Sequence, residues 1–326
     1  MTKTNQQKVK DFLINNGVII VMFILVIYTG FTSDNFFTRN NFMNILMNMS
    51  SRLVIALGIA GCVITAGCDL SAGRMIGFGA CISGMLLQRM DYSGKFFPDM
   101  QPLNVFVVAL IAMLVCAAFG TVTGFFIAYL NVPPFIATLA MMEIVYGIGL
   151  IVTNATPLGG YVEQYTNVSN GKFLGINYLI WIAIIVAAIT WFIFNMTRHG
   201  KYMYAIGGNP QAAEVAGVPV KLTLILIYMK AAAMYGLAGF MLGAKSGGAS
   251  VQLGYGYEME AIAACTIGGV SVTGGRGKVS SAFVGVAVFE LLKIALQYMG
   301  VNANAQYIAI GRSEERRVGK ECRSRW

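Results

Sequence analysis

Long apolar runs separated by short polar breaks dominate the chain. They fall at about 17–30, 53–67, 75–88, 103–130, 135–153, 178–196, 222–244, 259–273 and 279–299. About 20 apolar residues in a helix match the hydrocarbon core of a bilayer, so the pattern predicts an all-α, polytopic transmembrane helical bundle. It has about nine complete helices, several of them short or interrupted by glycine. A polar and amphipathic stretch, Thr32 to Ser51, separates the first two runs. Asn131-Val-Pro-Pro134 marks a forced break, because two successive prolines remove donors and clash with a continuing helix.

The clearest polar island of the second half runs from Arg198 to Lys221. Within it lies the grammar of a very short helix. Asn209 suits the N-cap, Pro210 the first helical position, and Gln211 to Ala216 can continue. Gly217 suits a left-handed C′ position and Pro219 prevents resumption. So short a helix is marginal alone in water and must pack on something. Its small apolar residues Ala212, Ala213, Val215 and Ala216 would let another surface come close. Periodicity does not say whether that surface is the protein's own or a partner's.

Composition agrees with the membrane reading: 57% of residues are hydrophobic and only 11% charged. The net charge of +9 is no nucleic-acid signal, since Lys and Arg sit in loops and at helix ends, where they set orientation. Lys3, Lys8 and Lys10 place the N-terminus inside, and the first apolar run, lacking a small-residue cleavage pattern, is expected to be retained. Six crossings then return the chain to the cytoplasm at Arg198. That loop is basic (Arg198, Lys201 and Lys221 against Glu214), the outer loops are charge-balanced, and Arg276 and Lys278 also fall inside.

Gly73/Gly77, Gly120/Gly124, Gly239/Gly243 and Gly243/Gly247 have the spacing that lets helices approach closely. Gly67-CDLSAG-Arg74 is echoed by Gly269-VSVTGG-Arg276, a hint of an internal repeat with helix breaks at corresponding positions. Cys62, Cys68, Cys81, Cys116 and Cys265 read as small buried hydrophobes without metal-type spacing. His199 is expected to be a solvated residue of a basic loop.

No nucleotide-binding, metalloprotease or nucleophile-elbow pattern is present. Gly277-Lys278 is followed by Val279, so the phosphate-loop spacing fails. No catalytic residue, metal or cofactor is expected, and energy for any transport must come from a partner or an ion gradient. Charges at membrane depth cost about 2.5–3.5 kcal/mol and point to function. The candidates are Glu143, Lys230, Glu290 and Lys293; the last two lie three residues apart and can pair. Asp69 and Ser71, with Arg74 just beyond them, form a polar site at a break between apolar segments. Carboxylate and hydroxyl groups suit sugar hydroxyls, although Asp69 can equally serve only as a helix cap.

After Gly311 the text turns abruptly to RSEERRVGKECRSRW. Residues 1–311 are expected to be the transmembrane domain, with a last helix beginning near Asn304 cut short, and 312–326 a non-native, adapter-derived tail carrying Cys322.

Four stretches carry a resemblance. ITAGCDLSAGR (Ile64–Arg74), LNVPPFIATLAMM (Leu130–Met142), TRHGKYMYAIGGNPQAAEVAGV (Thr197–Val218) and AIAACTIGGVSVTGGRG (Ala261–Gly277) resemble the permease subunits of bacterial ATP-binding cassette importers for simple sugars, the ribose/xylose/galactoside family. Met90–Met100 and Tyr257–Ser271 look most like its galactose/methyl-galactoside members, from which Arg276 is a departure. The resemblance implies a multi-pass protein of the cytoplasmic (inner) membrane that pairs with itself. It implies docking to a separate ATPase subunit and receipt of sugar from a periplasmic or lipid-anchored binding protein. It also places the ATPase-coupling loop on Gly207, Gly208, Asn209, Pro210, Ala212, Ala213, Glu214 and Gly217. An ion-coupled carrier using Glu143 and a non-transporting membrane scaffold are the competing readings.

Overall fold

The computed structural model describes residues 17–32 and 36–302, with side chains from residue 24 onward. Lys3, Lys8 and Lys10, the helix expected near Asn304 and the tail at 312–326 lie outside the described residues. The chain divides into two units, 1–48 with 287–326, and 49–286.

Twelve helices appear among the described residues: α1 Gly17–Thr32, α2 Arg39–Ile64, α3 Ala72–Leu86, α4 Val105–Tyr129, α5 Pro134–Thr153, α6 Glu163–Asn170, α7 Tyr178–Met196, α8 Arg198–Gly208, α9 Pro210–Val215, α10 Val220–Ser246, α11 Tyr257–Gly268 and α12 Val279–Tyr298. A hairpin of two-residue strands, Lys172–Phe173 with Ile176–Asn177, is the one strand pair among the described residues besides two isolated bridges. Six helices (α2, α4, α5, α7, α10 and α12) are long and apolar enough to cross a membrane, and α3 is a shorter apolar helix. The molecule is a helical membrane bundle.

Each predicted apolar run has a helix on it, but two boundaries move. The run at 53–67 belongs to a helix that starts at Arg39, so most of the amphipathic stretch is helical. Polar residues there were read as a connection, yet Asn41, Ser50 and Ser51 are buried within the protein. The run at 259–273 stops at Gly268, where Gly269 takes φ 104°, a left-handed value that ends the helix at little steric cost.

In the smaller unit, Phe36 sets its ring edge-on to Phe37 and Tyr298, at centroid distances of 5.1 and 5.4 Å. In the larger unit, α10 is the hub and packs along α4 and α3. Glycines set the closeness. A Cβ on Gly120 would lie 2.5 Å from both Ala232 Cβ and Tyr228 O, and one on Gly124 2.7 Å from Ile225 Cα. A Cβ on Gly79 would lie only 2.9 Å from Gly236 Cα and O, a close crossing outside the expected glycine pairs. Gly239 is closed by Ile76 O, whereas Gly247 has open space and simply ends α10 at φ 68°. Gly77 faces the backbone of 251–253, and Gly73 faces Gly254 O and the Glu258 side chain at the start of α11.

The packing makes a sharp contrast testable. Gly120→Ala and Gly239→Ala are expected to lower stability by about 1–3 kcal/mol each, the usual cost of overpacking a filled interior. Gly147→Ala on α5, where nothing lies within 4 Å, is expected to be neutral or stabilising. Thermal unfolding of the detergent-solubilised chain reads the difference.

Candidate functional site

The short helix forms as its residues dictate. Asn209 Oδ1 accepts from Ala212 N–H at 3.0 Å, and Pro210 occupies the first turn. At the far end Gly217 takes φ 81°. Val218 N–H donates to Ala213 O and Gly217 N–H to Glu214 O, both at 3.0 Å. That pair of bonds is a Schellman closure, which satisfies carbonyls that a six-residue helix would otherwise leave bare. Of its small apolar residues, only Ala213 is buried against the protein. Ala212, Glu214 and Ala216 are exposed, and Val215 is 92% exposed. α9 therefore presents an apolar side chain outward with none of the described residues over it.

The residues before it correct an expectation. Arg198–Gly208 is helix α8, N-capped by Thr197 Oγ1, which accepts from Gly200 N–H at 3.2 Å. His199 thus sits in a helical first turn and half-buried, not in a solvated loop. Burial first, and then the Lys230 charge, hold its imidazole down at about 4.

The end of α8 makes the tightest contact in this region. A Cβ on Gly207 would collide with Ile64 O and stand 2.5 Å from Gly275 N. Gly275 N–H in turn donates to Ile64 O at 2.8 Å, and Tyr204 Oη donates to Gly277 O at 2.8 Å. The loops following α2 and α11, which carry the two echoed sequence stretches, therefore meet one another at α8. Arg276 and Lys278 are exposed on the second of them. Gly208 lies in open space.

Both loops begin alike. After α2, Gly67 N–H donates to Cys62 O and Ala66 N–H to Val63 O, with Ala66 at φ 58°. After α11, Val270 N–H donates to Cys265 O and Gly269 N–H to Thr266 O. Non-helical backbone at membrane depth requires this kind of internal satisfaction. Asp69 completes the first loop. Its Oδ1 accepts from Ser71 N–H at 3.0 Å and Ser71 Oγ at 2.6 Å, and Tyr235 Oη donates to Oδ2 at 3.2 Å. Asp69 and Ser71 are 2% and 1% exposed. Asp69 does not cap α3; Ser71 holds the N-cap position and receives no cap bond there. Cys68 O accepts from Thr138 Oγ1 at 3.3 Å. Tyr228 Oη, beside Gly67, is buried with no partner among the described residues.

Arg74, one turn into α3, belongs to a second polar group. Its guanidinium lies over the rings of Tyr146 and Tyr255, 4.0 and 4.5 Å from their centroids, and Nη1 donates to Gln252 Oε1 at 2.8 Å. Gln252 Nε2 donates to Tyr146 Oη at 2.8 Å. Asp69 and Arg74 share no contact, so the structure does not gather the expected path residues into one site. Tyr146, Gln252 and Tyr255 escaped the sequence reading. The tyrosines' only local signal was an aromatic beside an intramembrane acid or a glycine, which is common in any bundle.

The fold and site define a helical membrane protein with broken segments and an outward-facing capped helix. Residues 41–311 match the family described as branched-chain amino acid transport system / permease component, and the chain belongs to it. It is 40% identical over 318 residues to the galactose/methyl galactoside import permease protein MglC of Escherichia coli K12, covering 95% of each chain. The Haemophilus influenzae protein of the same name is 41% identical, again over 95% of each. The ribose import permease protein RbsC of Escherichia coli K12 is 31% identical over 92% of this chain and 91% of its own. No solved structure matches.

Two outcomes follow from this geometry. Gly207→Ala is expected to strip the chain from the folded membrane fraction or slow its assembly, while Gly208→Ala leaves it intact; size-exclusion profiles of the solubilised variants report this. His199 binds its proton near pH 4 folded and near 6.5 unfolded. Its contribution is therefore present at neutral pH and is lost as pH falls from about 6.5 towards 4, because the unfolded chain protonates first. His199→Gln should flatten the fall in melting temperature across that window.

Proposed function

We propose that this chain is the transmembrane permease subunit of an ATP-binding cassette importer that carries galactose and methyl galactoside inward across the bacterial cytoplasmic membrane. The observation that carries the reading is identity of about two residues in five over 95% of both chains with galactose/methyl galactoside import permeases. Ribose is the runner-up, favoured by the 31% identity to a ribose import permease. About nine complete helices, α3 and α11 the short ones among them, and a truncated last one are assigned to residues 1–311, and 312–326 is set apart as a foreign tail.

The permease hydrolyses nothing itself. A separate ATPase subunit docks on Gly207 to Gly217, with Gly208, Asn209, Pro210, Ala212, Glu214 and Val215 facing it, Ala213 seating the helix on the bundle, and Gly217 closing it. The capped, outward-facing α9 supports this: its exposed Val215 is apolar surface awaiting cover. Movement of α9 passes through α8 at Gly207 to the two helix breaks. Arg74 contacts the solute, and Asp69 and Ser71 hold the turn that leads into its helix. A second copy of the chain completes the path, and a periplasmic or lipid-anchored binding protein delivers the sugar from the other side.

In a strain lacking its own permease but retaining ATPase and binding protein, the chain is expected to restore galactose uptake more than ribose uptake. Glu214→Arg and Val215→Glu should each abolish uptake while membrane insertion, followed by protease protection, is unchanged. Full uptake by both variants would remove α9 from the docking surface.

A further inference from the structure

The segment between α10 and α11 does something no ordinary loop does. It turns back along α3, its backbone so close that a Cβ on Gly77 would lie 2.6 Å from Val251 O and 2.8 Å from Leu253 O. A Cβ on Gly73 would lie 2.7 Å from Gly254 O and would strike Glu258 Oε2. Two small residues on α3 thus draw Gln252, Tyr255 and Glu258 in beside Arg74. Ala at either glycine would push them away.

The charges brought together this way are not paired in the usual manner. Arg74, 9% exposed, makes no ion pair among the described residues, and its Nε is buried without a partner. Glu258, 5% exposed, receives a bond from Gly256 N–H on Oε1, while its Oε2 is likewise buried without a partner. Two opposite charges kept apart, each with a spare polar atom, form a site of balanced charge. Such a site suits a neutral ligand rich in hydroxyls better than an ion.

The group is also open. Gln252 is exposed, Tyr255 is 63% exposed and Tyr146 is half-exposed. Glu143, one helical turn before Tyr146 on α5, is exposed as well. An exposed acid midway along a span-length helix cannot economically face lipid, so the face that carries Glu143 borders water or another polar surface. Aromatic rings present apolar faces to the C–H side of a sugar ring, while a guanidinium and a carboxamide donate to and accept from its hydroxyls.

We propose that Arg74, Tyr146, Gln252 and Tyr255 form the station that holds a monosaccharide during its passage, with Glu258 balancing the charge. This rests on the permease reading above and adds the residues that touch the solute. Tyr255 and Gln252 are exposed side chains in the turn between α10 and α11, so truncating them empties no core volume.

The test uses the full chain with its ATPase and sugar-binding protein in liposomes, measuring radiolabelled methyl galactoside taken up and phosphate released. Tyr255→Ala and Gln252→Ala are expected to lower the sugar moved per ATP by about tenfold, the effect of losing about 1.4 kcal/mol of contact. Hydrolysis stimulated by the binding protein persists in both, and Tyr255→Phe, which keeps the ring, recovers most of the ratio. An unchanged ratio in both Ala variants overturns the station while leaving the permease reading in place. An equal fall of transport and hydrolysis, which leaves that ratio unchanged, overturns it too, because it marks fewer working complexes rather than a lost solute contact. An unaltered chain that moves no sugar overturns the permease reading and the station with it.

Discussion

At Gly207 three pieces of backbone meet with no space for a side chain: the end of α8, the last carbonyl of α2 and the loop after α11. Contacts between backbones transmit displacement with little loss, because no rotamer can absorb it. Everything distinctive about the larger unit hangs on this junction. α9 begins three residues beyond it, and Asp69 lies five residues beyond Ile64 on the other side of it. A movement imposed on α9 has a short and stiff route to both helix breaks.

The breaks themselves obey the demand that buried backbone be satisfied. Each helix ends in a Schellman closure, one on a strained Ala66 and the other on Gly269. A non-glycine residue in the left-handed region costs about 1–2 kcal/mol, and surrounding contacts must hold it there. Around Ala66 they do: Gly274 packs on its Cβ, and the Asp69 carboxylate locks the rest of the turn to Ser71 and Tyr235. A polar knot of this kind makes the break a single conformation instead of a frayed helix end.

The two polar groups then divide their labour. Asp69 and Ser71 have their hydrogen bonds spent within the protein, whereas Arg74 and Glu258 retain unpartnered atoms beside an exposed face. Burial with satisfied bonds is what a structural turn needs, and spare capacity next to an opening is what a ligand-handling group needs. That distinction separates residues that stand within five positions of each other on the chain.

The sequence alone determined the elements whose causes are local. Apolar runs marked every long helix, because hydrocarbon length dictates their size, and Asn209, Pro210 and Gly217 wrote the ends of α9 as the structure has them. It determined the family too, since four dispersed stretches match it. The helix start at Arg39 was hidden because polar residues that follow it, Asn41, Ser50 and Ser51, are buried. The lowered pKa of His199 comes from burial first and then from the charge of Lys230, thirty-one positions away. Above all, only the tertiary structure decided that Arg74 belongs with Tyr146, Gln252 and Tyr255, residues up to 181 positions apart in sequence. Close approach of backbone to backbone, permitted by Gly73 and Gly77, brought them together, and no local pattern encodes which backbone will come.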